Sequence, residues 1–252
     1  MRRAADRARG LWEVLAGSVT AFPTDGGVAV AVAPDSLLCP PGWVGVVELE
    51  GSALVTAPDA ATAERVRVLT GLAPGSRTDT GVVRAHLPVA DALGPARLAY
   101  LDAASLTTVE LRTAPPRDDR TDDVRPDLRD VVALDAAGPE LRALLDRVAP
   151  DDADESGVAE LTSPAFALRR AGVVVAAAGF RAWPGDVAHL SVLSAPEVRG
   201  LGYGRLVARA ATTAALDAGL LPQWRARVEP SQRIARSLGY RDLGSQLSVR
   251  LG

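Results

Sequence analysis

The chain contains no lysine and no asparagine, and only one isoleucine, Ile234. All 28 of its Lys/Arg positions are arginine. We read this bias as codon usage rather than chemistry, but it has one direct consequence. A nucleotide-triphosphate loop needs Gly-Lys-Ser/Thr, so that motif is excluded. The single cysteine, Cys39, rules out an internal disulfide framework and a multi-cysteine metal site. Two histidines, His86 and His189, are too few for a histidine-rich metal centre, and no metal is expected. The net charge of −3 comes without any block of basic residues, which argues against a general nucleic-acid binder. No stretch approaches the roughly 18 apolar residues of a membrane span. Near the N-terminus, Arg2, Arg3, Arg7 and Arg9 precede Leu11-Trp12, but Glu13 interrupts the apolar part. A secretory signal is therefore not expected, and a cytoplasmic location without membrane association is the expectation.

What the chain does have is apolar residues, at 48%, enough for a packed core in one large or two small domains across 252 residues. The stretch from Ala188 to Ala218 reads AHLSVLSAPEVRGLGYGRLVARAATTAALDA. A β-branched apolar run with Leu190 and Val192 meets Ala195-Pro196. Arg199-Gly200-Leu201-Gly202-Tyr203-Gly204 follows. Then Leu206, Val207, Ala210, Ala211 and Ala214 recur at the spacing of one helix face, up to Gly219. The order is strand, glycine-rich turn, helix. Glycines allow positive φ and close approach of a ligand to the main chain. The first helical turn offers unpaired N–H groups and the positive end of the dipole to an anion. Arg199 and Arg205 would add charge-assisted contacts. This pattern suits a pyrophosphate cradle, although a purely structural turn between strand and helix would read the same. The dinucleotide fingerprint G-x-G-x-x-G does not fit, because the spacing here is G-x-G-x-G.

Around this stretch, residues 2–17 read as a helix and 28–32 as a strand. Residues 43–49 and 53–56 read as a hairpin across Glu50-Gly51-Ser52. Asp59 caps a helix reaching Leu69, and 82–87 and 97–101 are expected as strands. Thr113 to Pro126, TAPPRDDRTDDVRP, has prolines and mixed charge without periodicity and reads as a linker. It separates an N-terminal α/β domain of unknown role, 1–115, from a second domain, 126–252. In the second domain 131–134 is a strand and 139–148 a helix. Asp151–Ser156 is an acidic loop or helix start. Residues 166–169 and 173–180 form a hairpin across Arg170-Ala171-Gly172. Residues 222–228 are a strand, 230–238 a helix opening on Pro230, and 240–251 a last strand or hairpin.

Arg-x-x-Gly-x-Gly between a strand and an alanine-rich helix, here Arg199, Gly202 and Gly204, resembles the acetyl-CoA signature of the GNAT superfamily of acyltransferases. The run Ser231 to Tyr240, SQRIARSLGY, looks like the closing helix of that family and its Leu-Gly-Phe/Tyr ending. The resemblance covers roughly 126–252. It implies an α/β fold with a GNAT-like mixed twisted sheet flanked by helices, here preceded by a smaller α/β N-terminal domain. Ala53–Pro58 echoes Ser191–Pro196, so that N-terminal domain reads either as a degenerate GNAT-like copy or as chance similarity in an Ala/Val-rich chain.

The resemblance further implies transfer of an acetyl group from acetyl-CoA to a small-molecule or peptide amine, without metal. Counted back from Arg199, Val192 matches the backbone position for the thioester oxygen and Ser194 that for the pantetheine, with Leu193 between them. Arg199, Gly200, Leu201, Gly202, Tyr203, Gly204 and Arg205 match the pyrophosphate loop, and Ser231 is a candidate to meet the pantetheine or thiolate, or else caps the helix that starts at Pro230. Three side chains often found in the family are missing. The carboxylate position on the strand is Ala188, the tyrosine position in the closing helix is Ala235, and the asparagine position before it is Val228. His189, next to the first of these, and Glu160 are the remaining candidates for acid–base work. The acidic run Asp151–Glu155 would border the acceptor site and attract a cationic amine, or is a solvated loop. Two readings stay open: an N-acetyltransferase, or a non-catalytic acyl-CoA-binding protein with the same fold. For residues 1–115 the roles considered are shaping the acceptor pocket and forming a homodimer.

Overall fold

Val44–Leu49 and Ser52–Ala57 are apolar at almost every position, a pattern that needs cover on both faces of a strand. In the computed structural model, which describes residues 3–102 and 126–252, these are strands β2 and β3, buried along their whole lengths. The expected linker 113–126 lies outside the described residues, apart from Pro126. The chain folds as mixed α/β and divides into two compact units: Met1–Tyr100 with Trp224–Gln232 and Arg241–Gly252, and Leu101–Gln223 with Arg233–Tyr240.

The first unit carries strands in the order β1 (Val28–Val32), β3, β2, β10 (Arg241–Leu251), β4 (Val89–Tyr100). β1 runs parallel to β3, and the other neighbours are antiparallel. The β2–β3 turn places Glu50 and Gly51 at φ 47° and 82°, the double left-handed geometry of a tight hairpin. Helix α1 (Ala4–Ala16) buries Leu11 and Trp12 and stops at Gly17 in left-handed conformation. The Trp12 indole N–H donates to the Tyr100 hydroxyl at 2.8 Å. Helix α2 (Ala60–Val66) is capped by Asp59, which accepts the Thr62 N–H at 2.7 Å. Val46, Val55, Val66, Leu69, Val83, Leu247 and Val249 meet in one core.

One element departs from expectation. Thr80–His86 is helix α3, not the strand expected over 82–87. Asp79 accepts the Val82 N–H at 2.9 Å and starts the helix, and of the two adjacent valines Val83 is the buried one. A strand would need every second side chain on one face, and this segment has no such alternation.

The second unit carries β5 (Val132–Leu134), β6 (Ala165–Arg170), β7 (Val173–Trp183), β8 (Val187–Ser194) and the first half of β9 (Leu221–Ala226). Successive pairs are antiparallel until β8 and β9, which run parallel. The β6–β7 hairpin turns on Ala171 and Gly172 at φ 50° and 79°, as the Arg170-Ala171-Gly172 pattern led us to expect. Helices α4 (Pro139–Leu145), α5 (Pro150–Ser156) and α6 (Tyr203–Asp217) belong to this unit, and helix α7 (Glu229–Ser237) contributes its second half. The acidic run is thus the helix α5. Helix α6 packs Val207, Ala208, Ala211 and Ala215 onto β6, β7 and β8. Its small side chains let helix and sheet approach closely. Among the described residues no helix is long and apolar enough to cross a membrane.

Candidate functional site

The site is built on β8 and the turn after it. β8 pairs with β7 without a break from Val187 to Ser194. Its parallel pairing with β9 covers only Val187–His189 against Leu221–Gln223. Among the described residues, that edge of β8 lies outside the ladder from Leu190 to Ser194. Two hydrogen bonds show which residues point there. The Ala195 N–H donates to Val175 O at 2.8 Å, on the β7 side, and the Leu221 N–H donates to Asp186 O at 2.8 Å, on the β9 side. Backbone groups of successive strand residues face opposite edges. The N–H groups of Val192 and Ser194 therefore point to the open edge, whereas that of Leu193 is spent on β7. Leu193 is also buried.

The chain then turns through Pro196–Val198 into Gly200 and Gly202, which stand at φ 80° and 88°. A methyl group on either would meet no atom of the described residues within 4 Å, so among them the space beside the turn is open. Gly202 is the N-cap residue of α6 and supplies no side-chain cap. The Leu206 N–H reaches back to Gly202 O at 3.3 Å. This leaves the N–H groups of Tyr203, Gly204 and Arg205 as the outward-facing donors of a 15-residue helix. Gly204 plays a different part. A Cβ there would lie 3.0 Å from Ser194 Oγ, 3.5 Å from Ile234 Cδ1 and 3.7 Å from Val192 Cγ1. The first turn of α6 is thereby held directly against the two residues whose N–H groups are exposed at the open edge.

Arg199 lies across this edge. Its Nε donates to Ser194 O at 3.3 Å and its Nη2 to Asp152 of α5 at 2.8 Å. Arg147 forms an ion pair with Glu197 and donates to Val174 O. The acidic helix α5 thus places one carboxylate on the arginine of the glycine turn, a link that spacing alone did not reveal. Leu201 is exposed, Tyr203 buried and Arg205 half-buried.

The structure separates the two acid–base candidates. Glu160 is exposed and its carboxylate is paired with Arg181. His189 sits on the last rung that β8 shares with β9, where the open edge begins. Its Nδ1 lies 3.0 Å from Gln223 Oε1, and its ring stacks on Trp183 with centroids 4.3 Å apart and planes 11° off parallel. Ala188 is fully buried, and alternation puts it on the face of the sheet opposite to His189. Ser231 belongs to the first unit, where its hydroxyl accepts the Trp224 indole N–H at 3.0 Å. Ala235 is buried and Val228 exposed. Gln223, fully buried in the run Leu-Pro-Gln-Trp, was missed from the sequence. A polar residue inside an apolar strand was the available signal. Tyr240 packs in the second unit, bonded to the Thr212 hydroxyl at 2.8 Å, with burial raising its phenol above the ordinary range. Among the described residues no three His, Cys, Asp or Glu side chains gather as a metal site.

Residues 165–245 match the GNAT acetyltransferase family. The match begins at β6, ends within β10 and contains the whole glycine turn. That segment, about a third of the chain, is what is similar to an acetyltransferase family. No curated protein matches the sequence. Among solved structures, a chain from Novosphingobium aromaticivorans ascribed to the GNAT family is 22% identical, with a TM-score of 0.44 over 64% of this chain. A GCN5-related N-acetyltransferase from Kribbella flavida is 20% identical, with a TM-score of 0.47 over 67%. A GNAT-family acetyltransferase from Colwellia psychrerythraea is 12% identical, with a TM-score of 0.49 over 100% of this chain and 98% of its own. The alignments span 65% and 62% of the lengths of the first two.

Proposed function

We propose that the protein transfers an acetyl group from acetyl-CoA to the amine of a small molecule or peptide by direct attack on the thioester. The observation that carries this is the open edge of β8, where the N–H groups of Val192 and Ser194 stand beside an uncapped helix N-terminus. In this reading Gly200 to Arg205 hold the pyrophosphate through backbone donors, and Arg199 adds its charge. The Ser194 backbone holds the pantetheine arm. The Val192 N–H faces the thioester oxygen, where negative charge develops as the amine attacks, and a well-aimed donor there contributes about 3 kcal/mol. His189, at the vertex where β8 and β9 part, takes the proton from the attacking amine. The Glu160 carboxylate, held by Arg181, stands at the rim and acts on the charge of the acceptor rather than on its proton.

Calorimetric titration should show binding of acetyl-CoA. Gly202→Val should abolish it, because a β-branched residue at φ 88° is strained and fills the space that the phosphate needs. Unchanged affinity would show that the turn is not the cradle. The buried Ala188 and Ala235, where the family often carries acid–base side chains, favour a second reading, a non-catalytic acyl-CoA-binding protein. Release of free thiol from acetyl-CoA across a panel of amines separates the two. Tight binding with no turnover on any amine would select the second.

A further inference from the structure

His189 lies in a row of side chains that crosses three strands. It pairs directly with Arg181 on β7 and with Gln223 on β9, and directly paired residues share a face. Trp183, two residues along β7 from Arg181, falls on the same face and stacks on the imidazole. Each neighbour removes one freedom of the ring. Trp183 sets its plane. Gln223 sets its protons, because the group facing Nδ1 is the amide oxygen Oε1, at 3.0 Å, and an amide oxygen can only accept. Nδ1 must therefore carry the hydrogen, and in the neutral ring the lone pair is then on Nε2. Gln223 is fully buried, so solvent does not compete for the oxygen. His189 itself is only half-buried.

We infer that Gln223 is a positioning residue that holds His189 in the Nδ1–H tautomer and, on the acetyl-transfer reading of this site, turns the Nε2 lone pair to the proton of the attacking amine. Gln223 touches neither substrate; it acts through the imidazole. The nitrogen's electron pair forms the bond to the acetyl carbon while the carbonyl π pair moves onto the oxygen, and the proton leaves the amine nitrogen for Nε2, giving a ring protonated on both nitrogens. When the oxyanion re-forms the carbonyl the C–S bond breaks, the CoA thiolate leaves, and it takes up a proton from solvent. The Nδ1–H···Oε1 bond persists through this step, since Nδ1 donates in both forms of the ring.

The test uses the full chain with 15N-labelled histidine. Only His86 and His189 contribute signals, and a His86→Gln variant assigns them. Long-range 1H–15N spectra at about pH 8, above the ordinary imidazole range, report which nitrogen is protonated. The expected result is Nδ1–H for His189, kept in Gln223→Glu, which still offers an oxygen, and lost in Gln223→Leu. In the amine assay Gln223→Leu should lower kcat about 10- to 100-fold, part of what a positioned base supplies, with KM for acetyl-CoA unchanged and with Gln223→Glu restoring much of the loss. An Nε2–H tautomer in the wild-type chain overturns the inference whatever the activity. Wild-type kcat in Gln223→Leu overturns it too. Nδ1–H in a wild-type chain that acetylates no amine refutes the acetyl-transfer reading, and with it the catalytic use of the lone pair, while confirming that Gln223 orients the ring.

Discussion

The two glycines of the turn, Gly202 and Gly204, do different physical work. Gly202 is needed for a positive φ and open space, so its replacement should act on ligand binding. Gly204 is helical, buried and in contact with the strand. A side chain there must push against Ser194, Val192 and Ile234. Gly204→Val should overpack this contact and cost about 1–3 kcal/mol. Thermal unfolding should show it as a fall in Tm of several degrees, given roughly 2–4 °C per kcal/mol for a chain of this size. An unchanged Tm would mean that the first turn of α6 does not rest on β8 as described.

At the scale of elements, the strand–turn–helix order of the site was legible because each part announces itself locally. β8 does so through its apolar run, the turn through alternate glycines and α6 through its alanine face. The hairpin at Ala171-Gly172 was legible for the same reason. Helix α3 was not, because two adjacent valines resemble a strand and the decisive group, Asp79, lies outside the run. Asp79→Ala should remove the cap and cost about 1 kcal/mol, read as a lower urea midpoint with an unchanged slope. A midpoint equal to wild type would show that α3 is held by Val83 packing alone. The open edge of β8 was illegible for a different reason. It depends on where β9, some thirty residues later in the chain, stops pairing, and no local pattern encodes that. The meeting of His189 with Gln223 follows from that distant register, and the tie between Arg199 and Asp152 joins residues 47 apart in the chain, which no local pattern encodes either.

For the molecule as a whole, the missing lysines make alkaline titration unusually simple. With no lysine present, the side-chain types that lose protons between about pH 9 and 11 in an unfolded chain are cysteine and tyrosine. Burial pushes the Cys39 thiol from 9.0 up to about 11, against a smaller opposing effect of its hydrogen bond with Thr56. Burial likewise raises Tyr240, against the bond to Thr212. The Thr212 hydroxyl also bonds to Ala208 O at 2.8 Å and spends its one hydrogen there, so Tyr240 must donate. In both cases the folded chain keeps a proton that the unfolded chain has lost. Stability from these groups is therefore fully present below the unfolded values and is lost as pH rises through the folded ones. Each group weighs on the unit that holds it, Cys39 on the first and Tyr240 on the second. Urea unfolding should give a free energy that declines steadily from about pH 8 to pH 11. Cys39→Ala should flatten the part of the decline that begins near pH 9. Tyr240→Phe should cost about 1 kcal/mol near neutrality, for the lost hydrogen bond, and flatten the part above pH 10. A free energy independent of pH over this range would show that neither group is buried as described.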